Sequence, residues 1–250
     1  MPIAASDLKA YGAANHAEDD SSTQGGAIDL TTKVELTPMA ANDTLDVLSS
    51  SGSDTTQTVT ITGRSPAGAI VSEVYNINGT TPDTGATTFE RVLKVVMSAT
   101  AVGTITVRRS SSGPTVCTLE PGVTKVRRLG YNSSSNPSAT RSIYEKVFLK
   151  NTHGTLTLTS AKVKMTTEPS AASDTLFAVE DAVNDTGTST NRLTAPSGVG
   201  TFQQLNVEEP VPGNALAAGS QIGAWIRVDL AAGNAAFKDD ITLQLLGNTT

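Results

Sequence analysis

The clearest alternation of apolar and polar positions lies between Thr58 and Ile77. Val59 and Ile61 fall on one side of the chain and Thr58, Thr60 and Thr62 on the other, the period-two pattern of a half-buried strand rich in β-branched residues. Gly63 closes that run, and Arg64-Ser-Pro-Ala-Gly68 supplies the proline and glycine of a reversal. Ile70, Ser72, Val74 and Asn76 then alternate with Val71, Glu73, Tyr75 and Ile77. The two runs predict a β-hairpin.

The same period recurs on either side. Upstream, Ile28-Asp-Leu30, Val34-Glu-Leu36 and Leu45-Asp-Val-Leu48 predict strands ahead of a Ser49 to Ser53 loop. Downstream, Thr104-Ile-Thr-Val-Arg108, Val116-Cys-Thr-Leu119 and Val123-Thr-Lys-Val126 predict three more, separated by the turn signals Ser111-Ser-Gly-Pro114 and Glu120-Pro-Gly122. Gly130 to Ser138 is a Ser/Asn/Gly/Pro cluster without large aliphatic residues, the composition of a linker. Beyond it, Ile143-Tyr-Glu-Lys-Val-Phe-Leu-Lys150 breaks strict alternation, as a bulge or burial on both faces would. Leu156-Thr-Leu158, Ala161-Lys-Val-Lys-Met165, Trp225-Ile-Arg-Val-Asp-Leu230 and Ile241-Thr-Leu-Gln-Leu-Leu246 alternate again. Asp174 to Val183 fits strand or helix, and Asn184 to Gly200 reads as a long connection. At the N-terminus, Leu8 and Tyr11 are spaced i, i+3 behind Ser6 as N-cap, which predicts a short helix over Pro2 to Tyr11. Asn15 to Gly26 is too polar and glycine-rich to order through burial of its own side chains.

The architecture this predicts is all-β: two β-sandwich domains, immunoglobulin-like or jelly-roll-like, with a polar N-terminal arm. The expected divisions are an arm over residues 1–27, a first β domain over 28–132, a linker over 133–140 and a second β domain over 141–250. Leu216-Ala-Ala-Gly-Ser220 resembles the turn that precedes a core strand in many immunoglobulin-like sandwiches, which makes Trp225 a core anchor.

Composition narrows the function classes. In 250 residues the hydrophobic share is 38% but the aromatic share only 4%, which suits thin sandwiches with many turns better than a large enzyme core. A net charge of -6 argues against nonspecific duplex DNA binding, which needs clustered Lys and Arg. Cys117, the single cysteine, lies in an apolar run and reads as a small buried hydrophobe. No basic region followed by an apolar run opens the chain and no stretch approaches the ~20 apolar residues of a membrane span, so assembly in a cytoplasm is expected.

Candidate chemistry is sparse. His16 falls in the expected arm and His153 in a hairpin turn, so neither is placed to serve a nucleophile. No nucleophile elbow or Walker-type phosphate loop occurs, and Gly198-Val-Gly200 lacks the rest of a dinucleotide fingerprint. Asp19-Asp20, Glu208-Glu209 and Asp239-Asp240 are adjacent acid pairs in loop-like contexts, where solvated turn residues are the simpler reading than a glycosidase pair. Asp181, Asn184 and Asp185 offer oxygen ligands to calcium but lack the alternating loop and closing Glu of an EF-hand. No enzymatic activity, cofactor or metal is expected. Arg108-Arg109 and Arg127-Arg128, with Lys125, are the one basic concentration. Adjacent strand residues point to opposite faces, so each arginine pair offers at most one guanidinium per face unless the strand ends there. They serve either as a charged sheet edge that blocks aggregation or as a contact for an acidic partner.

The hairpin carries a further implication. Thr60-Ile-Thr-Gly63, a loop with Gly68, then Glu73, Asn78-Gly-Thr80, Phe89 and the valine-rich Val92-Leu-Lys-Val-Val96 together resemble a β module of structural proteins of tailed bacteriophages. The resemblance covers about a quarter of the chain and names no catalytic residue. It implies a noncatalytic virion protein that binds and stabilises the capsid shell as a decoration or cement protein. The alternatives are a tail-tube, neck or fibre component and, from another class, a carbohydrate-binding or hydrolytic β domain, which the sparse aromatics disfavour. The implied partners are the major capsid protein and further copies of the chain, as a trimer on threefold positions of the shell exterior, with no specific nucleic acid and no membrane. Ile3, Leu8 and Tyr11 are the expected apolar anchors of an arm ordered by a neighbour, and Arg108, Arg109, Lys125, Arg127 and Arg128 the expected charged contacts.

Overall fold

A computed structural model describes residues 2–129, 138–167, 173–233 and 241–249. The chain is all-β. Its described residues contain no α-helix, only the single 3-10 turns Ala5–Asp7 and Pro212–Asn214. Two compact units divide it: Met1–Asp29 with Gly130–Thr250, the flanking unit, and Leu30–Leu129, the inserted unit. Strands β1 (Leu8–His16) and β2 (Gln24–Lys33) open the chain. The inserted unit continues with β3 (Leu45–Ser49), β4 (Thr58–Arg64), β5 (Ile70–Asn76), β6 (Asp83–Thr84), β7 (Arg91–Met97), β8 (Ile105–Arg109), β9 (Thr115–Leu119) and β10 (Lys125–Arg127). The return to the flanking unit begins with β11 (Arg141–Asn151), β12 (Leu158–Thr167) and β13 (Ser173–Val179). Then follow β14 (Thr188–Ser189), β15 (Glu208–Pro210), β16 (Ala215–Leu216), β17 (Gln221–Leu230) and β18 (Thr242–Thr249).

In the inserted unit one sheet has the order β6-β3-β8-β9, and a second runs from β10 through β7 and β4 to β5. Leu45, Val47, Ile105, Val107 and Leu119 of the first share one core with Val59, Ile61, Tyr75, Val95 and Met97 of the second. Each such side chain contributes roughly 1.5–3 kcal/mol by leaving water. The predicted hairpin is present in full, β4 and β5 pairing antiparallel from Thr58 with Asn76 to Arg64 with Ile70. Cys117 is buried, and burial pushes its thiol up to about 12.

Three acidic side chains fix the loops of this unit. Asp54, within the chain's interior, accepts hydrogen bonds from Ser49 Oγ at 2.6 Å and from the Val102 and Gly103 N–H groups at 2.8 and 2.9 Å. Asp43 accepts from Ser110 Oγ and Arg109 Nε. Glu73 accepts from Tyr75 Oη at 2.7 Å and from the Ala86 N–H at 2.8 Å, clamping the loop before Phe89 onto β5. All three carboxyls lie below their ordinary values. The Ser49 hydroxyl leads for Asp54 and the Ser110 hydroxyl for Asp43, while at Glu73 burial pushes upward and is outweighed by the Tyr75, Ala86 and Thr87 hydrogen bonds. A depressed folded-state value gives stability that is complete above the unfolded values, 3.8 for Asp and 4.5 for Glu, and is lost as pH falls through the folded ones. Melting of the inserted unit is therefore expected to hold from pH 7 to about pH 5 and to fall steeply below about pH 4. Hydrogen exchange of the β4 and β7 amides across that range checks it, and protection unchanged at about pH 3 would contradict it.

The flanking unit has one sheet in the order β13-β17-β11-β1-β2, with β14 beside β2, and a second in which β15, β16 and β18 pair with β12. The ambiguous stretch before Val183 is a strand, β13, held along β17 from Ser173 with Leu230 to Val179 with Ala224. Central β11 is buried continuously from Ile143 to Leu149, so its broken alternation reflects burial on both faces. Trp225 is a core residue, fully buried on β17.

Two N-terminal expectations are corrected. Leu8 to Tyr11 is strand instead of helix, because β1 pairs with β11 from Leu8 with Asn151 to Gly12 with Val147, and that ladder overrides a weak i, i+3 signal. The polar arm is likewise part of the flanking unit. Tyr11 and Ala13 pack on Phe148 with Ile28, and Gly25 is buried at φ +85° because a Cβ there would lie 2.8 Å from the Trp225 ring. A glycine-rich stretch that cannot order through burial of its own side chains is thus held by the close approach of a large ring. Of the expected linker, residues 133–137 lie outside the described residues.

Candidate functional site

Two charged residues stand side by side in the middle of buried β11, Glu145 and Lys146, and a buried charge must be matched by partners. Alternation sends them to opposite faces of the sheet. Glu145 forms an ion pair with Arg192, whose other nitrogen Nη1 donates to the Glu18 carbonyl at 3.0 Å. Lys146 faces a more reactive set of groups.

The Lys146 ammonium is wholly enclosed, and three acceptors surround it: Asp185 Oδ1 at 2.5 Å, Glu180 Oε1 at 2.6 Å and the Gly187 carbonyl at 3.1 Å. These match its three donors. The same Glu180 oxygen accepts from Trp225 Nε1 at 2.6 Å, and Asp185 Oδ1 also accepts from the Gly187 N–H at 2.6 Å. Rings form the remaining walls, with Nζ 4.9 Å from the Phe148 centroid and 5.6 Å from that of Trp225.

Elements on three strands converge to build this site. Lys146 stands opposite Trp225 in the β11–β17 ladder, and Trp225 stands opposite Ala178 in the β17–β13 ladder. Glu180 follows β13 directly, its N–H bonded to the Gly223 carbonyl at 3.0 Å. The loop carrying Asp185 is pinned to β17 by Asn184, whose N–H donates to the Gln221 carbonyl and whose Oδ1 accepts from the Gln221 N–H. Asn184 adopts φ +58°, a turn conformation that asparagine tolerates. Gly223 makes the closeness possible, since a Cβ there would lie 2.7 Å from Lys146 Cε and 2.8 Å from Glu180 Cγ.

The two carboxyls are driven apart in their titration. Burial raises Glu180, and its hydrogen bonds from Lys146 and Trp225 only partly offset this. Burial also acts upward on Asp185, but the Lys146 and Gly187 hydrogen bonds outweigh it and lower the group. The directions make Glu180 the better proton holder and Asp185 the better anion, and both face the one ammonium. A shallow cleft of about 350 Å³ opens on the outer side of Glu180, lined also by Asp181, Glu209, Pro212 and Asn214.

The sequence-predicted residues are distributed otherwise. Asp185 and Asn184 are engaged as above instead of forming a calcium loop, and no group of three metal-ligating side chains occurs among the described residues. Asp19 is an exposed turn residue accepting from Ser21 and Ser22, and His153 caps its turn by accepting the Leu156 N–H at 3.0 Å. Asp239 and Asp240 lie outside the described residues. Arg108 and Arg109 sit on β8, while Lys125 and Arg127 sit on β10 with Arg128 just after it, and these strands belong to different sheets. The arginines are engaged within the chain. Arg108 approaches Asp46, Arg109 bonds Asp43, Arg127 Nε reaches the Arg128 carbonyl and Arg128 Nε donates to the Val92 carbonyl at 2.8 Å. Ile3 and Leu8 are half-buried and Tyr11 is buried. The Lys146 site was missed by sequence reasoning, although a Glu-Lys pair inside an apolar strand was its visible signal.

No helix among the described residues is long and apolar enough to cross a membrane. Comparison with known protein families, curated proteins and solved structures gives no match to the chain.

Proposed function

We propose that the chain is a noncatalytic structural protein of a tailed-phage virion, a decoration or cement protein that binds the outside of the assembled capsid shell and stabilises it. In this reading its two units are β-sandwich-like, immunoglobulin-like or jelly-roll-like, and its partners are the major capsid protein and further copies of itself as a trimer. The observation that carries the reading is the module between Thr58 and Met97. The residues on which the phage resemblance rests are the ones that hold the module together, with Glu73 clamping the loop before Phe89 and Gly79 docked on the Ser49 and Asp54 backbone. Binding to an assembled lattice in preference to free subunits would stabilise the shell by mass action.

A surface for such contacts is supported by β5, the terminal strand of its sheet. Ile70, Ser72 and Val74 have exposed side chains, and the hairpin register turns their backbone groups away from β4. Neither lysine nor proline guards this edge, so it can accept a partner's strand. Val74→Lys is expected to change folding stability by no more than about 0.5 kcal/mol while weakening attachment to shells. The test of function is co-sedimentation of the purified chain with assembled shells and with tails, followed by imaging of the decorated particle. Density on the shell exterior that disappears with Val74→Lys supports the reading. Density confined to tail or neck, or no binding to any particle, overturns it.

A further inference from the structure

We propose that the flanking unit makes its own covalent cross-link, an isopeptide bond between Lys146 Nζ and Asp185 Cγ, with Glu180 as the catalytic acid and base. The inference is independent of the virion reading. Nζ lies 2.5 Å from Asp185 Oδ1, so the carbon to be attacked is one C–O bond beyond an existing contact. Both partners are held on ordered backbone, Lys146 in the centre of β11 and Asp185 in a loop pinned by Asn184. Such fixed proximity replaces a bimolecular encounter, with effective molarities on the order of 10⁵–10⁸ M in well-oriented systems.

The reaction balances without any outside reagent. The Lys146 ammonium passes a proton to the Asp185 carboxylate along their hydrogen bond, leaving an amine and a carboxylic acid. In water this transfer runs uphill, from a base near 10.4 to an acid near 3.9, and out of water the neutral pair it forms carries a smaller desolvation cost than the two ions. The nitrogen lone pair then adds to Cγ, forming the N–C bond, and the developing negative charge falls on Oδ2, while Glu180 lends its proton to Oδ1, now a hydroxyl. The Gly187 N–H, which reaches Oδ1 at 2.6 Å, holds the carboxyl in place for this step. Glu180, touching Nζ at 2.6 Å, takes a proton from that nitrogen, the Cγ–O bond breaks, and the oxygen departs as water. One amine and one carboxylic acid become one secondary amide and one water, with nothing oxidised or reduced, and Glu180 regains its starting form.

Several features that would be odd in a merely structural ion pair fit this chemistry. A buried ammonium with two carboxyls carries a desolvation cost that apolar residues of similar volume would avoid. Conversion to an amide removes the ammonium and one carboxyl together. Two carboxyls are present where one would neutralise the lysine, and Glu180 Oε2 is buried with no protein hydrogen-bond donor. Trp225 Nε1 fixes the other Glu180 oxygen, and the Phe148 and Trp225 rings wall the enclosed Nζ that is to attack. The cross-link would tie β11 to the loop after β13 across β17, strands that do not pair with each other directly.

Intact-mass measurement of the purified full-length chain, followed by peptide mapping, tests the proposal. The expected result is a mass lower than the sequence mass by one water, with the Lys146 peptide joined to the Asp185 peptide. Glu180→Gln and Asp185→Ala should restore the full mass of their sequences, with circular dichroism confirming that each is folded. Asp185→Asn should give the same linked product as the natural chain, because loss of ammonia from the amide leaves the same bond. Separate Lys146 and Asp185 peptides in the natural chain after prolonged incubation at neutral pH would overturn the proposal, as would a mass deficit that persists in Asp185→Ala. Should a variant fail to fold, the peptide map of the natural chain decides alone.

Discussion

Lys146→Ala is expected to cost the flanking unit about 3–5 kcal/mol, a large fraction of the stability of an ordinary domain. The substitution removes the cation that three acceptors share, leaving the half-buried Asp185 carboxylate and the buried Glu180 without it. It also empties the space of the lysine stem between Phe148 and Trp225, and both terms act in the same direction. Lys146→Met separates them, since it refills the space without the charge. Only a minor recovery is expected from methionine, because the stranded carboxyls dominate. Adding Glu180→Gln and Asp185→Asn to Lys146→Met should recover most of the loss, while keeping an acceptor for Trp225 Nε1. Trp225 is the single tryptophan and belongs to this unit, so urea titration followed by its fluorescence reads the flanking unit alone. A loss below about 1 kcal/mol in Lys146→Ala would mean that the cluster is wetter and less strongly coupled than its geometry implies.

The inserted unit was legible in the sequence because its organising contacts are local. Val59, Ile61 and the reversal at Gly68 specify a hairpin through periodicity and turn chemistry alone, and the partner strand lies only a few residues away. The flanking unit was less legible for the opposite reason. Its central ladder pairs Leu8 with Asn151 and Tyr11 with Phe148, separations that no local pattern encodes. Gly25 and Gly26 read as freedom when taken with their polar neighbours, and as close approach only once Trp225 and Gly187 are placed beside Gly25.

The Lys146 site illustrates the same division. Glu145 and Lys146 within an apolar strand announce that charges are buried, a fact available from the alternation break. Which residues answer them was not available. Asp185 offered itself as one of three oxygen-bearing residues near a turn, the usual sequence appearance of a calcium loop, and Glu180 sat in a stretch equally compatible with strand or helix. The assignment of β13 to the edge of β17 decides both, because it delivers Glu180 to the Gly223 carbonyl and starts the Asp185 loop from that point. The basic residues add a second case. Arg108, Arg109, Arg127 and Arg128 stand close together in sequence, and only the structure shows which groups they meet, partners that include Asp43, Asp46 and backbone carbonyls of the same unit.

Gly63→Ala is expected to destabilise the inserted unit by about 1–3 kcal/mol or more, although Gly63 has no unusual backbone torsion and alanine has the better intrinsic propensity for regular structure. A Cβ at this position would lie 2.3 Å from the Arg91 carbonyl oxygen and 2.6 Å from Phe89 Cδ1. The cause is a bulge. Thr62 pairs with Lys94 while Gly63 pairs with Val92, so Leu93 is the extra residue on β7, and its carbonyl is taken by the Arg128 N–H at 3.0 Å. The bend brings the start of β7 over β4 and seats the fully buried Phe89 ring against the glycine. Thr-Ile-Thr-Gly and the later Phe are thus two sides of one contact. The two obstacles can be distinguished. Phe89→Leu in the Gly63→Ala background relieves the ring but leaves the Arg91 carbonyl, the nearer atom and part of a backbone fixed by the Arg64 ladder. The double variant is therefore expected to melt no higher than Gly63→Ala alone, in thermal melts and in exchange of the β4 amides. Recovery of most of the lost stability by Phe89→Leu would show that β7 yields and that the ring sets the requirement for glycine.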